Sequence, residues 1–189
     1  MIIPEKPSQL QSAAPVHCGL AVWFTGLSGS GKTTLCRALE LELRSCGCRV
    51  RTLDGDEVRK HLSPSLGFDK KDRDENIRRI AYVAQLLVRQ QVIVLVAAIS
   101  PYRAARACAR EEIGNFLEVY VNASLETCIQ RDPKQLYARA LRGELSHFTG
   151  IDDAYEVPLK PDVECKTDQE SCAESASKVF TAILSRLGV

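Results

Sequence analysis

The sequence predicts an α/β protein built on a parallel sheet, and three observations support this class. Strand-like and helix-like segments alternate along the chain, which is the pattern of parallel strands joined by crossover helices. The strand-like segments are short and almost continuously apolar, as expected of strands covered on both faces. A glycine-rich turn also joins the first strand to a helix. We therefore expect one sheet of five parallel strands with helices on both faces.

The elements follow from the apolar pattern. Strands are expected at residues 20–25, 49–53, 92–98, 116–121 and 163–166. Helices are expected at 32–46 and 72–90, and Ser124 should cap another. The last helix should open with a capping box from Thr167 to Glu170 and end at Gly188. Residues 132–160 break the alternation and are long enough for a mobile lid.

Length and composition restrict the class of protein. The 189 residues suit one domain, which we place at 17–189 after a flexible leader over 1–16. The net charge of +1 and the 45% hydrophobic content argue against a disordered chain, and we expect neither a nucleic-acid nor a membrane partner. No signal-peptide pattern is present, so we expect a cytoplasmic protein with eight reduced cysteines. Of these, we expect Cys36, Cys108, Cys128 and Cys172 to be packed.

The near-neutral total conceals an uneven charge distribution. Residues 59–110 carry eleven basic and four acidic side chains, whereas residues 143–189 carry four basic and nine acidic ones. Arginine is well suited to phosphate and sulfate oxygens, so an anion site belongs in the middle of the chain. The alternative is that these arginines form solvated helix faces; after the motifs described below, we keep this alternative for Arg106 and Arg110 and not for Arg59 and Arg73.

The strongest motif is a phosphate-binding loop. It follows an apolar strand and opens a helix, the context that this motif requires. Lys32 should reach the β- and γ-phosphates of a nucleoside triphosphate, and the Thr33 hydroxyl should ligate Mg²⁺. We expect ATP as the nucleotide and the fold of the P-loop nucleoside-triphosphate kinases, with a lid segment. The nucleotide-binding residues are Gly26, Leu27, Ser28, Gly29, Ser30, Gly31, Lys32, Thr33 and Thr34.

Two other uses of a triphosphate fit the sequence less well. A regulatory GTPase would carry Asn-Lys-x-Asp, but the nearest match, residues 165–168, begins with Cys165 in place of the asparagine. A motor or assembly ATPase would need a carboxylate at the end of the central strand, yet that strand leads into Ile99 and Ser100. We therefore discount both classes.

Acidic side chains instead follow the second strand, as Asp54-Gly55-Asp56. Strand ends deliver such residues to the open crevice of an α/β sheet. Asp56 could accept the proton of an acceptor hydroxyl or hold Mg²⁺ through water, and it could also cap the following helix. The charged run 72–79 fits an anionic acceptor. Taken together, these residues predict an ATP-dependent small-molecule kinase.

The chain resembles the adenylylsulfate kinase family from about residue 20 to residue 167. The matching runs are 26–33, 54–59, 66–68, 72–79, 99–103, 131–137 and 148–153. The resemblance implies transfer of the ATP γ-phosphate to the 3′-hydroxyl of adenosine 5′-phosphosulfate. It also implies a homodimer. Another metabolite kinase of the same fold, acting on a nucleoside monophosphate or a sugar acid, is the alternative.

Site roles follow from the same resemblance. Arg59, Arg73 and Asn76 would hold the phosphosulfate and ribose, while Phe68 and Phe148 would sandwich the adenine of the acceptor. Catalytic roles would fall to Lys32, Asp56 and Ser100. The full acceptor-binding set is Asp54, Asp56, Arg59, Phe68, Arg73, Asn76, Ile99, Ser100, Lys134, Phe148, Thr149 and Gly150.

Two properties of some family members are not carried over. A phosphoserine intermediate has been assigned to the serine equivalent to Ser100, but no activating base lies beside it in sequence, so we expect direct transfer. In plant members a disulfide links a leader cysteine to one after the phosphate loop. Cys18 and Cys36 do not match those positions, and we expect no such regulation.

Overall fold

The computed structural model describes residues 19–188, so the expected leader and Cys18 lie outside the described residues. A sheet of five parallel strands has the order β2-β3-β1-β4-β5. The predicted class and strand number are confirmed. Each strand begins and ends within one residue of its expected position: β1 Leu20–Thr25, β2 Val50–Asp54, β3 Ile93–Ala97, β4 Phe116–Asn122 and β5 Val163–Lys166.

Seven helices complete the described part of the chain. They are α1 Lys32–Ser45, α2 Gly55–Leu62, α3 Lys70–Arg89, α4 Arg103–Ile113, α5 Leu125–Arg131, α6 Leu136–Leu141 and α7 Cys172–Leu187. Ser124 caps α5 through its side chain, and Gly188 ends α7 in a left-handed conformation, both as expected. Within residues 19–188 no helix combines the length and apolarity needed to cross a membrane.

The expected start of the last helix was wrong. The capping box of α7 is formed by Ser171 and Glu174, each side chain accepting a hydrogen bond from the other residue's backbone N–H. The expected partner, Thr167, instead directs its hydroxyl to the carbonyl oxygen of Ser30, at 2.7 Å. The sequence therefore contains two neighbouring matches to the capping-box pattern. The first is not used as a cap, because Thr167 is hydrogen-bonded to the phosphate loop.

Two apolar layers cover the sheet. Successive residues of β1 point to opposite faces, so that Leu20, Val22 and Phe24 pack with α1 and α7. Ala21 and Trp23 pack against the layer formed by α3 and α4. Because β1 is buried on both faces, its carboxyl end and the loop that follows have a rigid base.

The segment that breaks the alternation contains a short helix. Asp132 accepts hydrogen bonds from the backbone N–H groups of Tyr137 and Ala138, which fixes the start of α6. The Tyr137 side chain is fully buried and donates from its hydroxyl to the carbonyl oxygen of Ser28, at 3.0 Å. The expected lid over 132–160 is thus attached to the phosphate loop through α6.

Candidate active site

An open cleft of about 1040 Å³ lies at the carboxyl ends of β1, β2 and β3. One end is lined by the phosphate loop and the start of α1, and the other by α2, α3 and residues 97–101. Pro133, Lys134 and Leu136 of the expected lid segment contribute to the same lining. The cleft is therefore large enough for two small-molecule substrates side by side.

Glycines give the phosphate loop its shape. Gly26 and Gly31 have φ angles of +153° and +105°, a region that side-chain-bearing residues rarely adopt. A Cβ at Gly26 would also collide with the carbonyl oxygen of Val121. Gly31 precedes α1 without any side-chain cap, so the first N–H groups of the helix are available to an anion.

Lys32 lies buried beneath this loop. Its Nζ donates to the carbonyl oxygens of Gly26, at 2.9 Å, and Leu27, at 2.7 Å. Burial removes the ammonium from water and lowers the pKa of Lys32 to about 8. A bound phosphate would supply the negative charge that this position lacks.

Thr33 and Asp54 bring two oxygen donors together beside the loop. The Thr33 hydroxyl donates to Asp54 Oδ2 at 2.9 Å, and Asp54 Oδ1 accepts from the backbone N–H of Asp56 at 3.0 Å. Asp54 is therefore the N-cap of α2, and the cap role considered for Asp56 is wrong. Because α2 begins at Gly55, Asp56 lies within the helix, where its carboxylate is 65% exposed and forms an ion pair with Lys134.

The opposite wall combines an aromatic ring with cations. Phe68 is 56% exposed, and the guanidinium of Arg59 lies 4.3 Å from its ring centroid. Arg73 Nε donates to the carbonyl oxygen of Phe68 at 2.7 Å and is 3.3 Å from Asp153 Oδ2. Asn76 is only 7% exposed, lines the cleft, and has no hydrogen-bond partner for its Oδ1 among the described residues. A buried amide oxygen without a partner points to a ligand that would satisfy it.

Three of the expected acceptor residues lie beside the cleft and not in its lining. Phe148 packs edge-on against Tyr137, with 5.0 Å between ring centroids. Gly150 faces Leu27, and Thr149 is buried. The structure does not bring Phe148 opposite Phe68, so the adenine sandwich stays a prediction.

Ile99 and Ser100 line the cleft together. The Ser100 hydroxyl accepts from Trp23 Nε1 at 3.0 Å and is 3.3 Å from the carbonyl oxygen of Ala98. Neither group is a base, so the structure gives this hydroxyl no activating partner. Its buried position, 2% exposed, suits a fixed wall of the site.

Other residues correct the sequence analysis. Arg106 was expected on the surface, but it is 3% exposed and pairs with Glu118 at 2.8 Å, because the start of α4 packs over β4. Arg110 is partly exposed, at 37% of its side chain, and pairs with Asp162 at 2.7 Å and with Glu118 at 3.7 Å. The prediction that Cys108 and Cys172 are packed was wrong, since both are exposed, whereas Cys36 and Cys128 are buried.

Sequence reasoning assigned no specific role to Arg131 beyond the matching run. Arg131 Nη2 donates to the carbonyl oxygen of Thr167 at 2.6 Å, and both residues line the cleft beside the phosphate loop. Cys172 lines the same end. The only available signal was an arginine at the end of a capped helix, which is insufficient to distinguish a site residue from an ordinary helix end.

Comparison with known proteins agrees with this geometry. Residues 18–166 match the model of the adenylylsulphate kinase family. The adenylyl-sulfate kinase of Picosynechococcus sp. is 57% identical over 164 residues, which cover 87% of this chain and 93% of that protein.

Two solved structures are also similar. The APS kinase CysC of Mycobacterium tuberculosis, in complex with AMPPNP and APS, has a TM-score of 0.85 and 44% identity, covering 90% of this chain and 99% of that one. The hexameric APS kinase of Thiobacillus denitrificans has a TM-score of 0.67 and 34% identity, covering 89% of this chain and 29% of that one. The family model matches most of this chain, and the relative from Picosynechococcus sp. is 57% identical to it. The chain therefore belongs to the adenylylsulphate kinase family.

Proposed function

We propose that the cleft holds ATP on the phosphate loop and adenosine 5′-phosphosulfate (APS) between α2, α3 and residues 99–101. The chain is an ATP-dependent kinase that phosphorylates a hydroxyl of APS, here assigned to the 3′-hydroxyl, giving 3′-phosphoadenosine 5′-phosphosulfate and ADP. One observation most directly supports placing ATP at one end of the cleft and APS at the other. A single cleft contains the phosphate loop at one end and, at the other, Arg59, Phe68 and Asn76 around an unsatisfied amide oxygen.

The ATP end is assigned to the loop from Gly26 to Thr34. The free N–H groups at the start of α1 would bind phosphate oxygens, and Lys32 would transfer its hydrogen bonds from the loop carbonyls to the β- and γ-phosphates. This exchange leaves the loop geometry unchanged while placing a cation at the phosphorus that reacts.

The donor set beside the loop fits Mg²⁺. Thr33 and Asp54 supply hard oxygen atoms, one hydroxyl and one carboxylate, linked at 2.9 Å. Residues 19–188 contain no cluster of three His, Cys, Asp or Glu side chains arranged for a metal, and Mg²⁺ bound with a triphosphate needs only one or two protein ligands. When bound, Mg²⁺ neutralises charge on the phosphates.

Transfer is direct and in line. The 3′-oxygen of the acceptor forms a bond to the γ-phosphorus while the bond from that phosphorus to the β–γ bridging oxygen breaks. The hydroxyl proton passes to Asp56, and ADP leaves. Asp56 is suited to this because its carboxylate is exposed in the cleft and Asp54 already performs the capping. Ser100 and Ile99 shape the acceptor wall and form no covalent bond.

The acceptor is held by charge and by stacking. Arg59, Arg73 and Asn76 bind the phosphosulfate and ribose, and the adenine stacks on Phe68. Phe148, Thr149 and Gly150 reach the acceptor when the lid over 132–160 closes, which also excludes water from the γ-phosphate. Lys134 belongs to this lid, and its ion pair with Asp56 connects the lid to the catalytic end of α2.

Three broader assignments accompany the mechanism. We assign residues 17–189 to one domain after a leader over 1–16. We infer a homodimer, since a hexameric relative indicates that the family can assemble, and light scattering coupled to gel filtration would test the mass. A cytoplasmic location is supported by the seven free thiols among residues 19–188.

An acceptor series tests the reaction. ADP release should be stimulated by APS and not by AMP, gluconate, shikimate or water, with the product identified by mass. If APS releases no more ADP than water does, the proposed reaction is wrong. Transfer from ATP made chiral at the γ-phosphorus should invert the configuration at phosphorus, and net retention would contradict direct transfer.

A further inference from the structure

We propose that Arg106 is a positioning residue for the acceptor half of the site, acting through the turn that contains Ser100. Arg106 lies on α4 away from the cleft lining and is 3% exposed. Three of its nitrogens donate in three directions. Nε reaches Glu118 Oε1 at 2.8 Å, Nη1 reaches the carbonyl oxygen of Ser100 at 2.7 Å, and Nη2 reaches that of Glu156 at 2.7 Å.

The Ser100 turn needs such support because its backbone is strained. Ser100 has a φ of +42°, a conformation that a side-chain-bearing residue rarely keeps unless its surroundings hold it. Trp23 holds the hydroxyl from β1, Thr25 Oγ1 donates to the carbonyl oxygen of Ile99 at 2.7 Å, and Arg106 holds the carbonyl of Ser100. Of these three, Arg106 alone comes from outside the central strand.

The second arm of Arg106 secures the later part of the expected lid segment, at Glu156. Glu156 donates from its backbone to the carbonyl oxygen of Pro101 at 2.8 Å and accepts from the backbone N–H of Arg103 at 2.7 Å. Arg106 therefore joins the turn and this segment at one guanidinium.

The same segment leads directly to the acceptor wall. Asp153 accepts from the Tyr102 hydroxyl at 2.8 Å and pairs with Arg73 at 3.3 Å. A shift of the Ser100 turn would thus displace both Ile99 and the partner of Arg73. In contrast, no hydrogen bond of Arg106 reaches the phosphate loop within residues 19–188. Loss of Arg106 should accordingly weaken the binding of APS more than the binding of ATP.

Glu118 is the counter-ion that allows the Arg106 guanidinium to be buried. Its carboxylate is only 12% exposed and balances the buried guanidinium. Lysine cannot replace arginine here, since a single ammonium on a flexible chain lacks the planar fork that reaches three fixed acceptors. This inference rests on the proposed placement of APS beside Ile99 and Ser100.

The test compares Arg106→Lys with Arg110→Gln, a control one turn later on α4. Arg110 pairs with Asp162 at 2.7 Å and more distantly with Glu118 at 3.7 Å, and it does not touch the Ser100 turn. For each variant, kcat, the KM for APS and the Kd for ATP are measured. Arg106→Lys should raise the KM for APS about tenfold or more and leave the Kd for ATP within about twofold. Arg110→Gln should leave both within about twofold.

The single tryptophan gives a readout of the turn itself. Because Trp23 Nε1 is bonded to Ser100, its emission maximum should shift in Arg106→Lys and remain unchanged in Arg110→Gln. An equal rise in the Kd for ATP and the KM for APS, or an unchanged KM for APS, would overturn the positioning role. If Arg106→Lys does not fold, Glu118→Gln should raise the KM for APS about threefold with the Kd for ATP unchanged, and the absence of that rise would overturn it too.

A parallel variant separates this inference from the proposed function. Asn76→Ala should raise the KM for APS, since Asn76 lies in the acceptor wall. An unchanged KM in Asn76→Ala would contradict the placement of APS itself. A raised KM in Asn76→Ala together with a normal KM in Arg106→Lys would contradict only the role of Arg106.

Discussion

Raising the pH from 7 to 9 should weaken ATP binding about tenfold, because Lys32 loses its charge in the free enzyme. Burial lowers the pKa of this lysine to about 8, so its charged fraction falls from roughly 0.9 at pH 7 to roughly 0.1 at pH 9. The bound phosphates favour the ammonium form and raise its pKa again. ATP therefore binds with proton uptake above pH 8, and its affinity decreases as the pH rises.

Calorimetry in buffers of different ionisation enthalpy measures both quantities. At pH 9 we expect uptake of roughly 0.9 proton for each ATP bound in the presence of Mg²⁺. Lys32→Arg should show neither proton uptake nor the tenfold change, since a guanidinium stays charged throughout this range. Cys172→Ser removes the exposed thiol at the same end of the cleft and should behave like the unmodified enzyme. Constant affinity between pH 7 and pH 9 would refute the assignment of Lys32.

Three further outcomes follow from the structure. Asp56→Asn should preserve ATP binding, measured by calorimetry, and reduce turnover on the order of 10²-fold or more, whereas unchanged turnover would exclude Asp56 as the proton acceptor. Gly150→Ala should lower the melting temperature more than Gly143→Ala, since both glycines have positive φ but only a Cβ at Gly150 meets Leu27, at 3.1 Å. An equal decrease in melting temperature would mean that the contact with Leu27 does not affect stability. Ser171→Ala should reduce the free energy of unfolding by about 1 kcal/mol in urea titration, and no change would show that the capping box of α7 is dispensable.

The sheet and the phosphate loop could be predicted because their signals are local. Continuous apolar runs locate buried strands wherever they occur, and the strand–loop–helix context identifies the glycines and Lys32 without knowledge of distant residues. The same locality explains the correct caps at Ser124 and Gly188.

Two of the errors arose where two local solutions compete. Thr167 with Glu170 and Ser171 with Glu174 both match a capping box, and the choice depends on a hydrogen bond from Thr167 to the phosphate loop, far away in sequence. Asp54 and Asp56 could each begin a helix, and the choice depends on where β2 ends. Pattern alone could not decide either case.

Arg106 was missed for a different reason. Arg103, Arg106 and Arg110 follow one another on a single helix and look equivalent in sequence. Only the packing of α4 over β4 brings one of them beside Glu118 and away from water. The environment of a charged side chain is thus a tertiary property, and the identity of its neighbours along the chain does not reveal it.

The central position of β1 has a consequence for synthesis on the ribosome. Among the described strands this one emerges before the others but pairs with β3 and β4, and the last residues of β4 follow about a hundred positions later. At about 5–20 residues per second, a nascent apolar strand therefore waits on the order of 5–20 s for its partners. During that interval the strand is open to non-native association, and chains that stop before β4 cannot complete the nucleotide site.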